Sequence, residues 1–364
     1  MGRAETPVAF VNAILLAYAQ RGLSPNTMLE QAQITPAILK KSMGRITSLQ
    51  FELASGLAMR ELDDEALGWF ERRLPWGSYG MLVRASLTAP TLGVALKRWC
   101  RHHNLLTSSI HLELSEQDGV ACLVLSELAG TGVWSAERSA SCPPPAARAS
   151  SFPTQNALPT RLPESLREFC IVSVLRNALG VACWLSDSRI ALQHTSLRYA
   201  PPAHQSSYSV LFDGPVRFEA SVNSLQFDAL YLTLPVRRDE AALQRMLERA
   251  LLLTVRPYRR DRLLVEKVRQ ALTQFPQHTR NADNLADRLS LSTRTLHRQL
   301  KDEGSSLQQL KNAVRRDLAL DLLHRSKKPL KQIAEAVGFQ SEKSFLRAFK
   351  NWTGQTPDAA RRAV

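Results

Sequence analysis

Two groups of basic side chains near the end of the chain share one spacing. Each group has members at i, i+4 and i+7, positions that lie on one face of an α-helix. The groups are Arg294, Arg298 and Lys301, and Lys343, Arg347 and Lys350. Arginine can bond bidentately to guanine, and both residue types pair with phosphate. One such row could arise by chance on a solvated helix, but two rows in register favour a shared role in binding a polyanion.

Apolar side chains occupy the other face of both basic helices. Leu296 and Leu300 lie four residues apart in the first helix. Phe345 and Phe349 have the same spacing in the second helix, and Trp352 follows three residues later. This pattern predicts that the apolar faces are buried while the basic faces stay in solvent.

The elements around the basic helices also repeat. The stretches Asp283–Gly304 and Lys331–Gly354 superpose when one residue is added in the second turn. Each predicts a short helix, a tight turn and a second helix capped by serine, which is the helix-turn-helix layout.

A long helix is predicted between the two units. About sixteen helical residues span roughly 24 Å, so the two second helices could reach adjacent major-groove faces about 34 Å apart. The predicted core-facing stripe of this helix is Leu307, Leu310, Val314, Leu318 and Leu322.

The positive charge is concentrated in the same part of the chain. The last 110 residues hold 23 Lys and Arg against 11 Asp and Glu, which gives +12 of the formal net charge of +14. Such an excess attracts polyanions, of which nucleic acid is the foremost. On charge alone, a solvated basic surface without a partner is the alternative.

The preceding residues predict a different architecture. Helical periodicity dominates residues 8–105, and alternation around Asp118 and Gly119 predicts a β-hairpin. A strongly apolar helix follows at 165–185. Strand-like runs then occur at 190–199, 216–220 and 225–235. Helix and strand mix without βαβ alternation, so we expect an α+β N-terminal domain followed by an all-α C-terminal domain with two helix-turn-helix units.

These patterns predict the domain organisation. An α+β effector-sensing or dimerisation domain is expected at 1–252, a linker at 253–262 and the DNA-binding domain at 263–364. Residues 129–163 are rich in Ala, Ser and Pro and predict a flexible insertion, since they cannot bury enough apolar surface to offset ordering.

No catalytic or metal-binding signature emerges from the sequence. The five cysteines are scattered without metal-ligand spacing, which favours free thiols in a reducing cytoplasm. The pair His102 and His103 has no carboxylate or cysteine at helical spacing. The apolar run Val8–Ala19 is shorter than the roughly 20 residues that span a membrane. We therefore expect a cytoplasmic protein that is not an enzyme and that has neither cofactor nor metal.

Two alternatives stay open on the residues alone. A DNA-repair alkyl-transfer enzyme would combine such a DNA-binding module with a reactive cysteine, although none of the cysteines has a Pro-Cys-His context. An effector-independent DNA-binding protein would need less than the roughly 250 N-terminal residues present here.

The stretch IAEAVGFQSEKSFLRAFKNWTGQTPDAARR resembles the signature of the AraC/XylS family of bacterial transcription regulators. The resemblance spans Arg262–Arg362. Its most specific positions are Ile333-Ala334, Gly338-Phe339, Ser344-Phe345, Arg347, Phe349, Gly354 and Thr356-Pro357. It implies two helix-turn-helix units that bind double-stranded promoter DNA.

Upstream, LPWGSYGMLVRASLTAPTLGVALKRWCRHH and FDGPVRFEASVNSLQFDALYLTLPV resemble the effector-domain subgroup that includes ornithine-utilisation regulators. The resemblance implies an activator or other regulator with a small-molecule effector. RNA polymerase and a second copy in a homodimer are further implied partners, and no membrane is. The insertion at 129–163 departs from that subgroup.

The resemblance also implies the residues that contact DNA. The base-contacting positions fall on Arg294, His297, Arg298, Glu342, Lys343 and Arg347. The expected phosphate contacts are Lys301, Lys331 and Lys350. His297 could instead contact phosphate or only water, and Arg347 could brace a neighbouring carboxylate.

Four residues of the N-terminal part are candidates for an effector pocket on aromatic and charge grounds. They are Trp76, Tyr79, Arg84 and Trp99. Core packing is the alternative for each.

Overall fold

The structure is a computed structural model that describes residues 4–128, 162–251, 261–275, 281–326 and 328–362. The chain divides into two units, residues 1–259 and 260–364. The predicted linker and the predicted flexible insertion lie almost wholly outside the described residues. Both stay predictions, as do the domain boundaries drawn from the sequence.

The first unit mixes helices and strands. Its described helices are α1 (Val8–Gln20), α2 (Asn26–Gln31), α3 (Pro36–Leu39), α4 (Ser48–Glu61), α5 (Ser78–Leu87), α6 (Leu92–Leu106), α7 (Glu164–Ser186), α8 (Tyr208–Leu211) and α9 (Glu240–Leu247). Its strands are β1 (Ala4–Pro7), β2 (Arg45–Thr47), β3 (Ile110–Gln117), β4 (Val120–Glu127), β5 (Leu192–Ser196), β6 (Val216–Arg217) and β7 (Asn223–Asp228).

The strands form a two-stranded ribbon of β1 and β2 and a five-stranded sheet in the order β3-β4-β7-β5-β6. The sheet is antiparallel except for the β5–β6 pair. The predicted hairpin is confirmed: Gln117 pairs with Val120, and both turn residues, Asp118 and Gly119, have positive φ, as a type I′ turn requires. The α+β prediction is likewise confirmed.

Strand β7 ends earlier than the sequence predicts. The expected run at 225–235 is wrong beyond Asp228, whose carboxylate accepts a hydrogen bond from Leu230 N at 2.9 Å. This local bond starts a 3₁₀ turn at Ala229–Thr233 that buries Tyr231.

Helix α7 forms the centre of the first unit. It packs against α1, α6 and β7. Residues Ser165–Ser186 are long and apolar enough to cross a bilayer on length and composition, but their most apolar window is 83% buried within the protein. This burial identifies α7 as a core helix.

The second unit is helical throughout its described residues. Its helices are α10 (Leu263–Gln274), α11 (Ala282–Arg288), α12 (Thr293–Asp302), α13 (Leu307–Arg325), α14 (Leu330–Ala336), α15 (Glu342–Thr353) and α16 (Pro357–Arg362). They pack into two separate cores. Helices α10 to α12 pack on the start of α13, and α14 to α16 pack on its end.

Helix α13 uses a different face for each core. Leu310 belongs to the first core and Ala319 to the second, and they lie nine residues apart, about two and a half turns. The predicted single stripe is therefore wrong at Leu318, which is 38% exposed because it falls where the buried face changes sides. Helix α13 serves as a spacer that belongs to both cores.

Candidate nucleic-acid interface

The first helix-turn-helix unit consists of α11 and α12. Its turn contains Ser290 at φ 55°, and Leu291 N donates to Ala286 O at 2.9 Å. The Ser292 side chain then accepts from Thr295 N at 3.1 Å and caps α12. The turn and cap fix the angle at which α12 leaves the short helix that supports it.

The second unit, α14 and α15, repeats these bonds. Gly338 has φ 90° where the first unit has Ser290, and Phe339 N donates to Ala334 O at 2.9 Å. The Ser341 side chain caps α15 by accepting from Ser344 N at 3.2 Å. The repeat seen in the sequence is thus present in the backbone, with one additional residue, Gln340, before the cap.

Both second helices bury the predicted face. Leu296, Leu300, Phe345 and Phe349 are fully buried. Trp352 is half-buried against the Phe339 ring, with 5.8 Å between the ring centroids. These contacts orient the opposite faces of α12 and α15 outward.

All nine predicted DNA-contacting side chains are exposed. Arg294, His297, Arg298 and Lys301 lie together along α12. Glu342, Lys343, Arg347 and Lys350 lie together along α15. Lys331 is exposed on the supporting helix α14, apart from the α15 row.

The arginines of the second unit fall into two groups by their contacts. Several have an ion pair or a hydrogen bond within the chain: Arg262, Arg269, Arg316, Arg325, Arg361 and Arg362. Arg288 and Arg315 lie over the rings of Phe275 and Phe339. In the described part of this unit, the arginines without such a contact are Arg294, Arg298 and Arg347. The carboxylate brace considered for Arg347 is therefore absent from the described residues.

The sequence did not point to two contacts that position α12. The Thr293 hydroxyl donates to Asp283 Oδ1 at 2.6 Å, which ties the start of α12 to the first turn of α11. At the other end, the Glu303 carboxylate accepts from Val265 N at 2.8 Å and Leu264 N at 3.3 Å. Burial raises the pKa of Glu303 to about 7, against the lowering effect of these two backbone bonds. A lone acidic residue before Gly304, at the end of a basic helix, was the available signal.

The N-terminal pocket candidates lie elsewhere than in a shared cavity. Trp76 is 52% exposed beneath the Arg60 guanidinium, and Arg84 is exposed in an ion pair with Glu240. Tyr79 and Trp99 pack edge to face in the core. A pocket role is therefore wrong for all four, and core packing holds for Tyr79 and Trp99 only.

Reactive thiols and metal sites are not found among the described residues. The four described cysteines are buried, and burial raises the pKa of Cys100 to about 12 and that of Cys170 above its usual value. Cys142 lies outside the described residues. His103 is buried beside Phe70, and burial lowers its pKa to about 4. In the parts of the chain that the structure describes, no three potential metal ligands cluster.

Comparisons with known proteins match both units. Residues 22–141 and 146–236 match the family described as the arabinose-binding domain of AraC transcription regulator, N-terminal. Residues 285–363 match a helix-turn-helix domain family. The N-terminal match alone spans more than half of the chain.

Individual relatives are regulators. The chain is 28% identical to the ornithine utilization regulator of Pseudomonas aeruginosa over 98% of its own length and 96% of that protein. It is 34% identical to the urease operon transcriptional activator of Escherichia coli over 26% of its length and 32% of that protein. Among solved structures, the DNA-binding domain of AdpA in complex with a target DNA is 31% identical, with a TM-score of 0.25, over 28% of this chain and 90% of that one. None of these relatives is an alkyl-transfer enzyme.

Proposed function

The chain belongs to the AraC family of transcription regulators, and from this premise we propose that α12 and α15 read the base sequence of its target promoters. It is a DNA-binding transcription regulator with an N-terminal domain of the family's arabinose-binding type. The observation that carries the proposal is that Arg294, Arg298 and Arg347 are exposed on these two helices, without the intramolecular contacts of the unit's other described arginines.

We assign base contacts to six side chains and phosphate contacts to three. The base contacts are Arg294, His297, Arg298, Glu342, Lys343 and Arg347. The phosphate contacts are Lys301, Lys331 and Lys350. Arginine suits guanine O6 and N7, and Glu342 suits cytosine N4, so the two helices have the chemistry to distinguish bases.

The spacer helix supports binding to two half-sites by one chain. Helix α13 has 19 residues, about 28 Å at 1.5 Å per residue, and each end belongs to the core of one unit. We propose that α12 and α15 enter successive major-groove faces on one side of the duplex, about 34 Å apart.

Regulation completes the proposal. The N-terminal domain binds a small-molecule effector, whose different affinities for two states of the protein shift the DNA-binding equilibrium. Promoter activation would involve RNA polymerase, and a homodimer would form through the N-terminal domain. The chain acts in the cytoplasm, where promoter DNA is, and catalyses no reaction.

Mapping the bound sites on the genome, with and without candidate metabolites, tests the proposal and supplies the operator. An enriched motif with two half-sites is expected. Sites that share no motif would contradict sequence-specific regulation.

Arg298→Ala then tests base reading on that operator. We expect a loss of about 1–3 kcal/mol on the operator and a smaller loss on random DNA in titrations at one salt concentration. Arg269→Ala is the matched control, because Arg269 is held beside Glu266 on α10. Equal losses on operator and random DNA for Arg298→Ala would exclude a base-reading role.

A further inference from the structure

A cavity lies in the first unit between α4 and α7. Ser48, Phe51 and Ser55 line it from one face of α4, and Phe169, Ser173 and Arg176 line it from one face of α7. Its empty volume is about 670 Å³, including the space open to solvent at its mouth. This size is within the range of small-molecule sites.

Aromatic rings form the apolar part of the wall. Phe169 is stacked on Phe10 at 5.3 Å between ring centroids, and its edge meets Trp69 at 5.2 Å and Phe51 at 6.2 Å. All four rings line the cavity. Such a wall suits the flat or extended body of an apolar organic molecule.

One cationic side chain lies among these rings. Arg176 is 8% exposed and is the charged residue among the described residues that line the cavity. Burial lowers the pKa of Arg176 to about 10, so the guanidinium stays protonated at neutral pH. A bound anion would add charge-assisted hydrogen bonds to this group in a site of low polarity.

Two further polar atoms in the wall are buried without a hydrogen bond in the described part of the chain. They are Ser55 Oγ and Trp69 Nε1, on residues that are 1% and 4% exposed. A buried unsatisfied polar atom costs on the order of 1–3 kcal/mol and calls for a partner. An indole N–H can only donate, and a hydroxyl can donate, so an acceptor-rich group would satisfy both.

We propose that this cavity is the effector site and binds a monocarboxylate with an apolar body. Arg176 pairs with the carboxylate, Ser55 and Trp69 donate hydrogen bonds to the ligand, and the rings of Phe10, Phe51 and Phe169 contact its apolar part. This assignment rests on the proposed function, in which the N-terminal domain binds an effector, and it names the chemical class and the site.

The cavity also meets the chain close to the predicted linker. Leu251 lines the cavity, two residues before the predicted linker at 253–262. A ligand that contacts Leu251 thereby contacts the segment of chain that leads to the DNA-binding unit. Ligand binding and DNA binding therefore have a covalent route of coupling.

Calorimetric titration of the full-length protein tests the ligand class. Benzoate, phenylacetate and octanoate are the anionic probes, and they separate aromatic from aliphatic acids. Benzamide and benzylamine are the neutral and cationic controls of matched size. We expect saturable binding of at least one acid and at least about tenfold weaker binding of its neutral analogue. No saturable binding of any acid up to about 10 mM, or equal binding of acid and amide, would overturn the proposal.

Variants test the site. Arg176→Met should weaken binding of the acid at least about tenfold, whereas Lys97→Met, on the exposed side of α6, should leave it unchanged. Ser55→Ala covers the case in which Arg176→Met does not fold. It removes an unsatisfied hydroxyl, so it should weaken acid binding while leaving the thermal stability of the free protein equal or higher. Unchanged acid binding in both variants would refute the site.

Operator titration separates the two levels of inference. If the acids do not bind but Arg298→Ala still loses operator preference, the ligand assignment fails while the proposed DNA reading stands. If operator preference is absent from the unsubstituted protein, the proposed function itself fails, whatever the acids do.

Discussion

The partner of each arginine separates structural from DNA-facing roles at the scale of single residues. Arg315 lies over the Phe339 ring, 5.2 Å from its centroid, and its side chain is next to Gly338. It therefore supports the turn of the second unit. Arg294 and Arg298 have no such contact in the described part of the chain, so their donors remain available to a base or a phosphate.

Glu303 makes the stability of the second unit depend on pH. Burial raises its pKa from 4.5 to about 7 in the folded protein. Its stabilising contribution is therefore present below about pH 4.5 and is lost as pH rises through 7. We expect the unit to lose on the order of 2 kcal/mol of unfolding free energy between pH 5 and pH 8 from this group.

Glu303→Gln should flatten that dependence, whereas Asp302→Asn, at the exposed neighbour, should leave it in place. Urea unfolding of the full-length chain, followed through the methyl NMR signals of Leu296 and Leu300, measures the relevant unit. The same pH dependence in Glu303→Gln as in the unsubstituted chain would assign it to other groups.

At the scale of elements, the two turns offer a matched experiment. Ser290 and Gly338 occupy equivalent left-handed positions, with φ 55° and 90°. A Cβ at Gly338 would meet no atom closer than 3.7 Å, so backbone conformation rather than a clash determines the effect. Gly338→Ala should destabilise the second core by about 1–2 kcal/mol, and Ser290→Gly should stabilise the first core by up to about 1 kcal/mol.

Chemical denaturation followed at Phe345 for one core and at Leu296 for the other distinguishes these effects. Changes of the same sign in both variants would mean that the turns are not equivalent.

Helix α13 should set the angle between the two DNA-reading helices. One alanine inserted between Asp317 and Leu318 rotates the second core about 100° relative to the first and moves it 1.5 Å. Each core keeps its own contacts. We expect the affinity for a two-half-site operator to fall at least about tenfold, to that of a single half-site.

Leu318→Ala is the control, since it changes the same exposed position without a rotation. Gel-shift titration on operators with one and two half-sites measures the effect. Unchanged affinity of the insertion variant for the two-half-site operator would mean that α13 does not set the spacing.

At the scale of the whole molecule, the division of charge predicts salt-sensitive DNA binding. With +12 in the last 110 residues, each neutralised phosphate adds about −0.9 to the slope of log affinity against log salt. Lys350→Ala should make that slope shallower by about one and weaken operator and random DNA similarly. Lys97→Met, in the first unit, should not change it. An altered base preference in Lys350→Ala would assign this side chain to a base instead.

The extent of successful sequence prediction follows from how local each signal is. The buried faces of α12 and α15 were predictable because Leu296 and Phe345 belong to strict helical repeats. Leu318 was not, because the change of buried face along α13 depends on two cores that form from other segments. The cavity was also out of reach. Ser55 and Arg176 lie far apart in sequence, and α7 is apolar on nearly every side, so periodicity does not reveal which face borders a space.

The two cores on one spacer helix make the chain a bivalent ligand of DNA. While one unit is bound, the other stays at a high effective concentration near its half-site and can rebind before the protein diffuses away. Residence time on a promoter then exceeds what either unit achieves alone. A promoter with one strong and one degenerate half-site can therefore still hold the protein, so regulated sites can diverge in sequence without losing control.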